Sequence, residues 1–235
     1  GTGRIYEEIA SHLITDGNEI HCDSEPVAVR HKDGRITEVD VKKPDGSITT
    51  YRPDNLVESV PLTRFLHLLD PLPPESVLDA ASGLKWRAQV YLFLTLDRES
   101  VTKDNWVYFP NKEIPFGRTS EMKNFSPDMC PPGKTSFFVE FFAFEEEAIY
   151  SMPKEEVFEL VMPYFEEWGY FTRDEVRQIH LFRRPCVYPV YDLEYDQRLA
   201  VVREWLDRIE NLIGKYPDAE MPSEFIEEDP SSLYV

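Results

Sequence analysis

Glu140 lies within Phe137-Phe138-Val139-Glu140-Phe141-Phe142, and a carboxyl set among aromatic side chains is a group able to do chemistry. Desolvation disfavours the charged form, so such a residue could act as an acid or base near neutrality. A strand glutamate paired to an arginine is the commoner arrangement, and both readings stay open. Arg118, in Phe116-Gly117-Arg118, stands in a loop rich in small and apolar residues. A guanidinium there could clamp an anion by paired hydrogen bonds, with a plain surface arginine as the alternative. Tyr188-Pro189-Val190-Tyr191 follows directly from a strand, and its two phenols could line a pocket or pack at the strand end. Arg118, Tyr188 and Tyr191 are expected to converge on one concave face.

Other chemistries lack their residues. Gly133-Lys134-Thr135 resembles the end of a phosphate loop, but Asp128 occupies the first glycine position and the preceding prolines have no amide to donate. Gly1-Thr2-Gly3 has no strand before it and has Tyr6 where a dinucleotide fingerprint needs its third glycine. His12, His21, His31, His67 and His180 form no pair at helical metal spacing, so no metal is expected. No Gly-x-Ser-x-Gly elbow occurs, and the abundant acids show no spacing that singles out a glycosidase pair.

These residues must be positioned by regular elements. Ile5, Ile9 and Leu13 fall at four-residue steps, predicting a helix capped by Thr2 and ended at Gly17. Alternation around Val27, Val29, Val39 and Val41, with Asp33-Gly34 and Asp45-Gly46 at the turns, predicts a β-meander over 19–51. A short strand at 55–60, a short helix at 62–69 and another at 75–82 flank the proline stretch at 71–74. Strands are predicted at 86–96, 106–109, 135–144 and 179–182. The proline-rich segment 111–133 reads as a structureless binding loop. Pro153 opens a helix at 151–169 that Pro163 should kink, Thr172 and Glu175 have capping-box spacing, and a last helix runs 195–212. Beyond Pro217 the acidic tail reads as loosely ordered.

Composition narrows the partners. Acidic residues number 44 against 25 basic, a formal net charge of -19, which repels nucleic acid and acidic lipid surfaces. Cys22, Cys130 and Cys186 are widely spaced and odd in number, which fits a reducing compartment, and with no apolar run of membrane-spanning length a cytoplasmic location is expected. The start at Gly1-Thr2-Gly3, without Met and running straight into a helix, reads as a trimmed product.

Four stretches in order carry a family resemblance. GTGRIYEEIASHL with the meander, then DNLVESVPL, resembles the segment of protoporphyrinogen-oxidase-like and other amine-oxidase-fold flavoproteins that leads from substrate domain back to flavin domain. WVYFPNKEIPFGRTSEMKNFSPDMCPPGKTSFFVEFF resembles their central strand, arginine loop and Asn-x-Ser-Pro turn. YPVYDLEYDQRLAVVREWLDRIENL resembles the stretch before their last flavin-binding motif, and UDP-galactopyranose mutases are similar in having a Tyr-Pro pair there. The resemblance implies that Arg118, Asn124, Ser126, Tyr188 and Tyr191 bind substrate, with Glu140 a recurrent position. It also implies FAD in the parent protein and none in this chain alone. The glycine-rich dinucleotide motif is missing, and Ile213-Gly214-Lys215-Tyr216-Pro217 stands where the family continues Gly-Arg-x-Gly.

The expected fold is α+β, a largely antiparallel mixed sheet with flanking helices, corresponding to a substrate domain without its Rossmann half. Residues 1–60 would border the flavin domain, 61–216 would bind substrate and 217–235 would form the tail. The expected function is the substrate-binding portion of an FAD-dependent oxidoreductase or flavin-dependent isomerase acting on a small polar or nucleotide-sugar-like molecule, inactive without the flavin-binding segments, which would be its partner along with the substrate. A non-catalytic ligand- or protein-binding module is the alternative.

Overall fold

A computed structural model describes residues 3–214. Helix α1 (Gly3–Thr15) is followed by strands β1 (Glu25–Lys32), β2 (Arg35–Lys42), β3 (Ile48–Tyr51) and β4 (Leu56–Glu58). Helix α2 (Leu62–Phe65), strand β5 (Leu69–Asp70) and helix α3 (Glu75–Ser82) come next. Strands β6 (Trp86–Leu96), β7 (Trp106–Tyr108), β8 (Arg118–Glu121) and β9 (Thr135–Ala143) precede helices α4 (Ala148–Ser151) and α5 (Lys154–Glu167). Strand β10 (Val176–Pro189), helix α6 (Tyr195–Leu206) and strand β11 (Leu212–Gly214) complete the described chain. The Thr2 cap and the tail beyond Pro217 lie outside the described residues.

Two compact units divide these elements: Lys85–Val190 forms one, and the stretches up to Leu84 and from Tyr191 form the other. This corrects the division expected after residue 60. Phe65, Leu66, Leu69, Val77 and Ala81 are buried in one core with Val29, Ile36 and Val39 of the meander and Val202 and Leu206 of α6. The helices of 62–82 therefore belong with the meander, and their apolar faces are covered by elements far away in sequence.

In that unit the sheet order is β3-β2-β1-β5, antiparallel except for the parallel pair β1–β5. Asp33 and Gly34 both have positive φ, 51° and 78°, the conformation that a two-residue hairpin turn needs to follow strand twist. A side chain at Gly34 would also meet the Arg208 carbonyl at 3.0 Å. Asn211 ties the end of the described residues to the meander: its Oδ1 accepts from the Ile36 amide at 2.7 Å, and its Nδ2 donates to the Ile36 and Asp54 carbonyls, each at 3.0 Å. The helix expected through Leu212 thus stops at Leu206, and Leu212–Gly214 pair in parallel with β4. The α1 helix forms as its spacing predicts, with Gly17 at φ 91° beyond its end, but none of its residues is buried.

The other unit is built on the antiparallel sheet β10-β6-β9-β8-β7. One face carries Val90, Leu92, Leu94, Phe137, Val139 and Phe141, closed over by Val157, Val161, Met162 and Phe165 of α5. Pro153 caps the start of α5, Pro163 sits inside it, and the Thr172–Glu175 capping box is present in both directions. The segment expected to be structureless contains β8 and two 3-10 turns. Arg118-Thr119-Ser120-Glu121 has no apolar alternation to announce a strand. Its buried polar atoms include a well-satisfied carboxylate: Glu121 accepts from the Val101 and Thr102 amides, the latter at 2.7 Å, and from the Thr135 hydroxyl at 2.7 Å. The architecture is α+β with largely antiparallel sheets, as expected.

Candidate functional site

Because side chains alternate across a strand, the residues between those of the core emerge together on the opposite face of the five-stranded sheet. Cross-strand register sets them in rows: Arg118 opposite Glu140 and Glu140 opposite Tyr91, Phe138 opposite Phe93, Phe142 opposite Gln89, and Tyr188 opposite Arg87. An outward face of this kind is ordinarily polar. Here it is aromatic, and Trp106 (53% exposed), Tyr108 (62%), Phe182 (45%) and Tyr188 (46%) all reach solvent.

At its centre the two leading candidates from the sequence meet each other. Arg118 Nε and Nη2 donate to the two oxygens of Glu140 at 2.8 and 2.5 Å, and Nη1 donates to the Tyr108 hydroxyl at 3.1 Å. The guanidinium lies 5.5 Å from the Tyr108 ring and 5.9 Å from the Phe142 ring. Hydrogen bonding to Glu140, opposed by burial, raises the Arg118 pKa further above its already high value. Glu140 also accepts from Ser120 Oγ at 3.3 Å and Gln89 Nε2 at 3.4 Å, while Tyr91 donates to Gln89 Oε1. Burial, seconded by the Glu140 charge, raises the Tyr91 pKa. The pairing reading of Glu140 is the observed one, and its partner is the arginine proposed as an anion clamp. This arginine stands on a strand, not in a loop, and its fork is already engaged inside the protein.

Phe142 reaches its place above Arg118 by lying against Gly117, where an added Cβ would come within 2.6 Å of the ring. On its other side Phe142 is 6.4 Å from Tyr188, so Arg118, Glu140 and Tyr188 share one face. Asn124 and Ser126 have local work. Asn124 Nδ2 donates to the carbonyls of Thr102 and Asp104, and Ser126 Oγ accepts from the Asp128 amide. Tyr191 belongs to the other unit, where its ring meets Tyr195 at 4.7 Å. Sequence reasoning missed Gln89, Tyr91, Tyr108 and Phe142. The period-2 offset from the buried Ala88, Val90 and Leu92 was the signal that could have found the first two.

The chain matches the model of the flavin containing amine oxidoreductase family over residues 1–204, and so belongs to that family. None of the curated proteins matches it. Among solved structures it is similar to a reduced UDP-galactopyranose mutase, with TM-score 0.70 and 17% identity over 89% of this chain and 44% of that one. It is also similar to a protein provisionally named a protoporphyrinogen oxidase from Exiguobacterium sp. 255-15 (TM-score 0.62, 15% identity, 84% and 42% covered) and to a redesigned putrescine oxidase (0.53, 9%, 82% and 42%). At these identities the likeness is one of fold. The chain spans less than half the length of each of these three.

The turns that follow the parallel strands β4 and β5 do not form a pyrophosphate grip. A dinucleotide pyrophosphate is held where a parallel strand turns through glycines into a helix N-terminus, with backbone amides facing the phosphates. Here the parallel strands β4 and β5 run towards α2 and α3 through Val60-Pro61 and Pro71-Leu72-Pro73-Pro74, and prolines have no amide hydrogen to give. Among the described residues no helix is long and apolar enough to cross a membrane, and no cluster of three or more His, Cys, Asp or Glu could hold a metal ion.

Proposed function

We propose that this chain is the ligand-facing portion of an FAD-dependent oxidoreductase or flavin-dependent isomerase, with the flavin gripped by polypeptide beyond these 235 residues. The observation that carries this is the uncovered aromatic face of the five-stranded sheet. Its central charges, Arg118 and Glu140, neutralise each other, leaving rings, hydroxyls and an amide to meet a ligand. Aromatic faces and phenols hold sugar-like or flat polar molecules by stacking and hydroxyl contacts, which favours a small polar or nucleotide-sugar-like substrate. The central carboxylate is held by Arg118, which suits chemistry supplied by a cofactor while the protein orients the substrate and excludes water.

Family membership and the proline turns of β4 and β5 support placing the flavin grip elsewhere. The purified chain is expected to be colourless and to bind FAD weakly or not at all. When the chain is produced joined to the flavin-binding half of the parent protein, near-stoichiometric flavin should appear. A yellow preparation of the 235-residue chain alone would overturn the proposal. Absence of flavin from the joined protein would instead favour a binding module that never meets a cofactor.

A further inference from the structure

Two phenols of the open face are oriented in opposite senses by the Arg118–Glu140 pair. Arg118 donates to both oxygens of Glu140 and, from Nη1, to the Tyr108 hydroxyl at 3.1 Å. A guanidinium has no lone pair with which to accept, so this last bond runs in one direction only. Tyr108 Oη is the acceptor, and its own hydrogen is left over. That hydrogen meets no other acceptor among the described residues, and the side chain is exposed. Because Glu140 pins the guanidinium by two bonds, the cation stays on the phenol oxygen and polarises its O–H into a stronger donor.

Tyr91 is fixed the other way. A carboxylate paired with an arginine only accepts, so the Gln89 atom that faces Glu140, at 3.4 Å, is Nε2. Gln89 Oε1 is thereby turned to Tyr91, which gives it its hydrogen. Burial and the Glu140 charge raise the Tyr91 pKa, which keeps that hydrogen in place. What Tyr91 has left to offer is its oxygen lone pairs. Arg118 and Tyr91 are the two cross-strand neighbours of Glu140, so a donor on the β7 side and an acceptor on β6 flank one neutralised pair. A chain with a formal net charge of -19 repels anions at long range, and the acceptor that suits Tyr108 is therefore an uncharged oxygen.

We propose that Tyr108 and Tyr91 impose a fixed hydrogen-bond polarity on the ligand: Tyr108 gives its hydroxyl hydrogen to a neutral carbonyl, ether or ring oxygen, and Tyr91 takes a hydrogen from a hydroxyl or N–H group. A ligand turned the other way would set two donors against each other at Tyr108 and leave both unpaired, which is how a polar site rejects the wrong arrangement. The inference rests on the ligand-wall reading above and narrows its substrate class to molecules with an uncharged acceptor on one side and a donor on the other.

The test uses the 235-residue chain and two small rings of opposite character, followed by protein NMR. N-methyl-2-pyrrolidone accepts through its carbonyl oxygen and has no N–H or O–H to give, whereas pyrrole donates through its N–H and has no oxygen. N-methyl-2-pyrrolidone is expected to shift the amides of β7 and β8 saturably, with affinity about fivefold weaker in Tyr108→Phe and unchanged in Tyr91→Phe. Pyrrole should show the converse dependence. Tyr108→Phe keeps the exposed ring and loses only the hydroxyl, so its circular dichroism should match the wild type, and it remains decisive even if Tyr91→Phe unsettles Gln89. Binding of N-methyl-2-pyrrolidone that Tyr108→Phe leaves intact, or pyrrole binding that depends on Tyr108, overturns the polarity and leaves the ligand wall standing. Absence of saturable binding of both probes would remove the wall and the polarity together. The readout involves no flavin, so none of these outcomes bears on the cofactor.

Discussion

The two faces of the five-stranded sheet are made by the same strands and differ only in which alternate residues they present. On one, Leu92, Leu94, Val139 and Phe141 are closed under α5 with essentially no exposure. On the other stand Phe93, Phe138, Phe182 and Tyr188, of which Phe182 and Tyr188 are exposed. Folding accounts for the first face, since burying an aromatic or branched side chain contributes about 1.5–3 kcal/mol. It does not account for Phe182 and Tyr188 on the second, which stay exposed and gain little from the fold. A large exposed aromatic patch on an antiparallel sheet is the mark of a surface that meets something else.

The comparison is sharpened most by truncation at the covered face. Phe165 is fully buried between Phe116, Phe137 and Phe171, with ring centroids 4.9–5.5 Å away. Phe165→Ala is expected to cost about 3–5 kcal/mol in chemical denaturation. A loss below about 1 kcal/mol would show that α5 does not close this face.

Next in size is the buried pair on the open face. Removing the carboxylate strands a guanidinium whose side chain is only 19% exposed. Glu140→Ala is therefore expected to cost about 3 kcal/mol, and the double variant Glu140→Ala with Arg118→Met should recover much of that loss. If the double variant is no more stable than Glu140→Ala, the pair is not the coupled unit that the geometry shows.

Glu58 offers the opposite case, a buried carboxyl without an arginine. It ends β4, one of its oxygens has no hydrogen-bond partner, and burial raises its pKa from 4.5 to about 7 against the pull of the Val60 amide. The folded state therefore holds a proton that the unfolded chain releases more readily. The stability this gives is whole below about pH 4.5 and is lost as pH rises through about 7. Between about pH 5 and pH 8 the wild type should lose stability that Glu58→Gln keeps. Parallel pH profiles for the two proteins would place the Glu58 carboxyl in solvent.

Legibility in the sequence followed the range of the forces. The meander, the capping box at Thr172 and Glu175, and the helix opened by Pro153 are set by turn chemistry and local period, and each was readable from neighbours a few residues apart. Strand β8 was not, because Thr119, Ser120 and Glu121 are buried polar residues, with Glu121 held by hydrogen bonds, and carry no apolar alternation. The end of the last helix was missed for a related reason. Leu206 and Ile209 keep helical spacing, but Asn211 is held by a backbone 175 residues earlier in the chain. The site shows the same limit: Arg118 and Glu140 were each visible as unusual residues, while their pairing depends on the β8–β9 register.

The smallest expected effect is the most telling for function. Phe182 lies on the open face of β10 opposite Tyr91, 45% exposed, with His180 stacked beside it at 6.4 Å. Replacing it with Ser removes a ring that the fold hardly uses, so stability should change by no more than about 0.5 kcal/mol. The same substitution is expected to weaken ligand binding in the flavin-loaded parent, because a ring standing over the sheet loses its contacts only when something lies against it. Denaturation and binding measured on one variant thus separate the two faces: Phe165→Ala should act on folding, and Phe182→Ser on recognition. A stability loss for Phe182→Ser comparable to that of Phe165→Ala would mean that this face is also part of a core, covered in solution, and would remove the reason for reading it as a ligand wall.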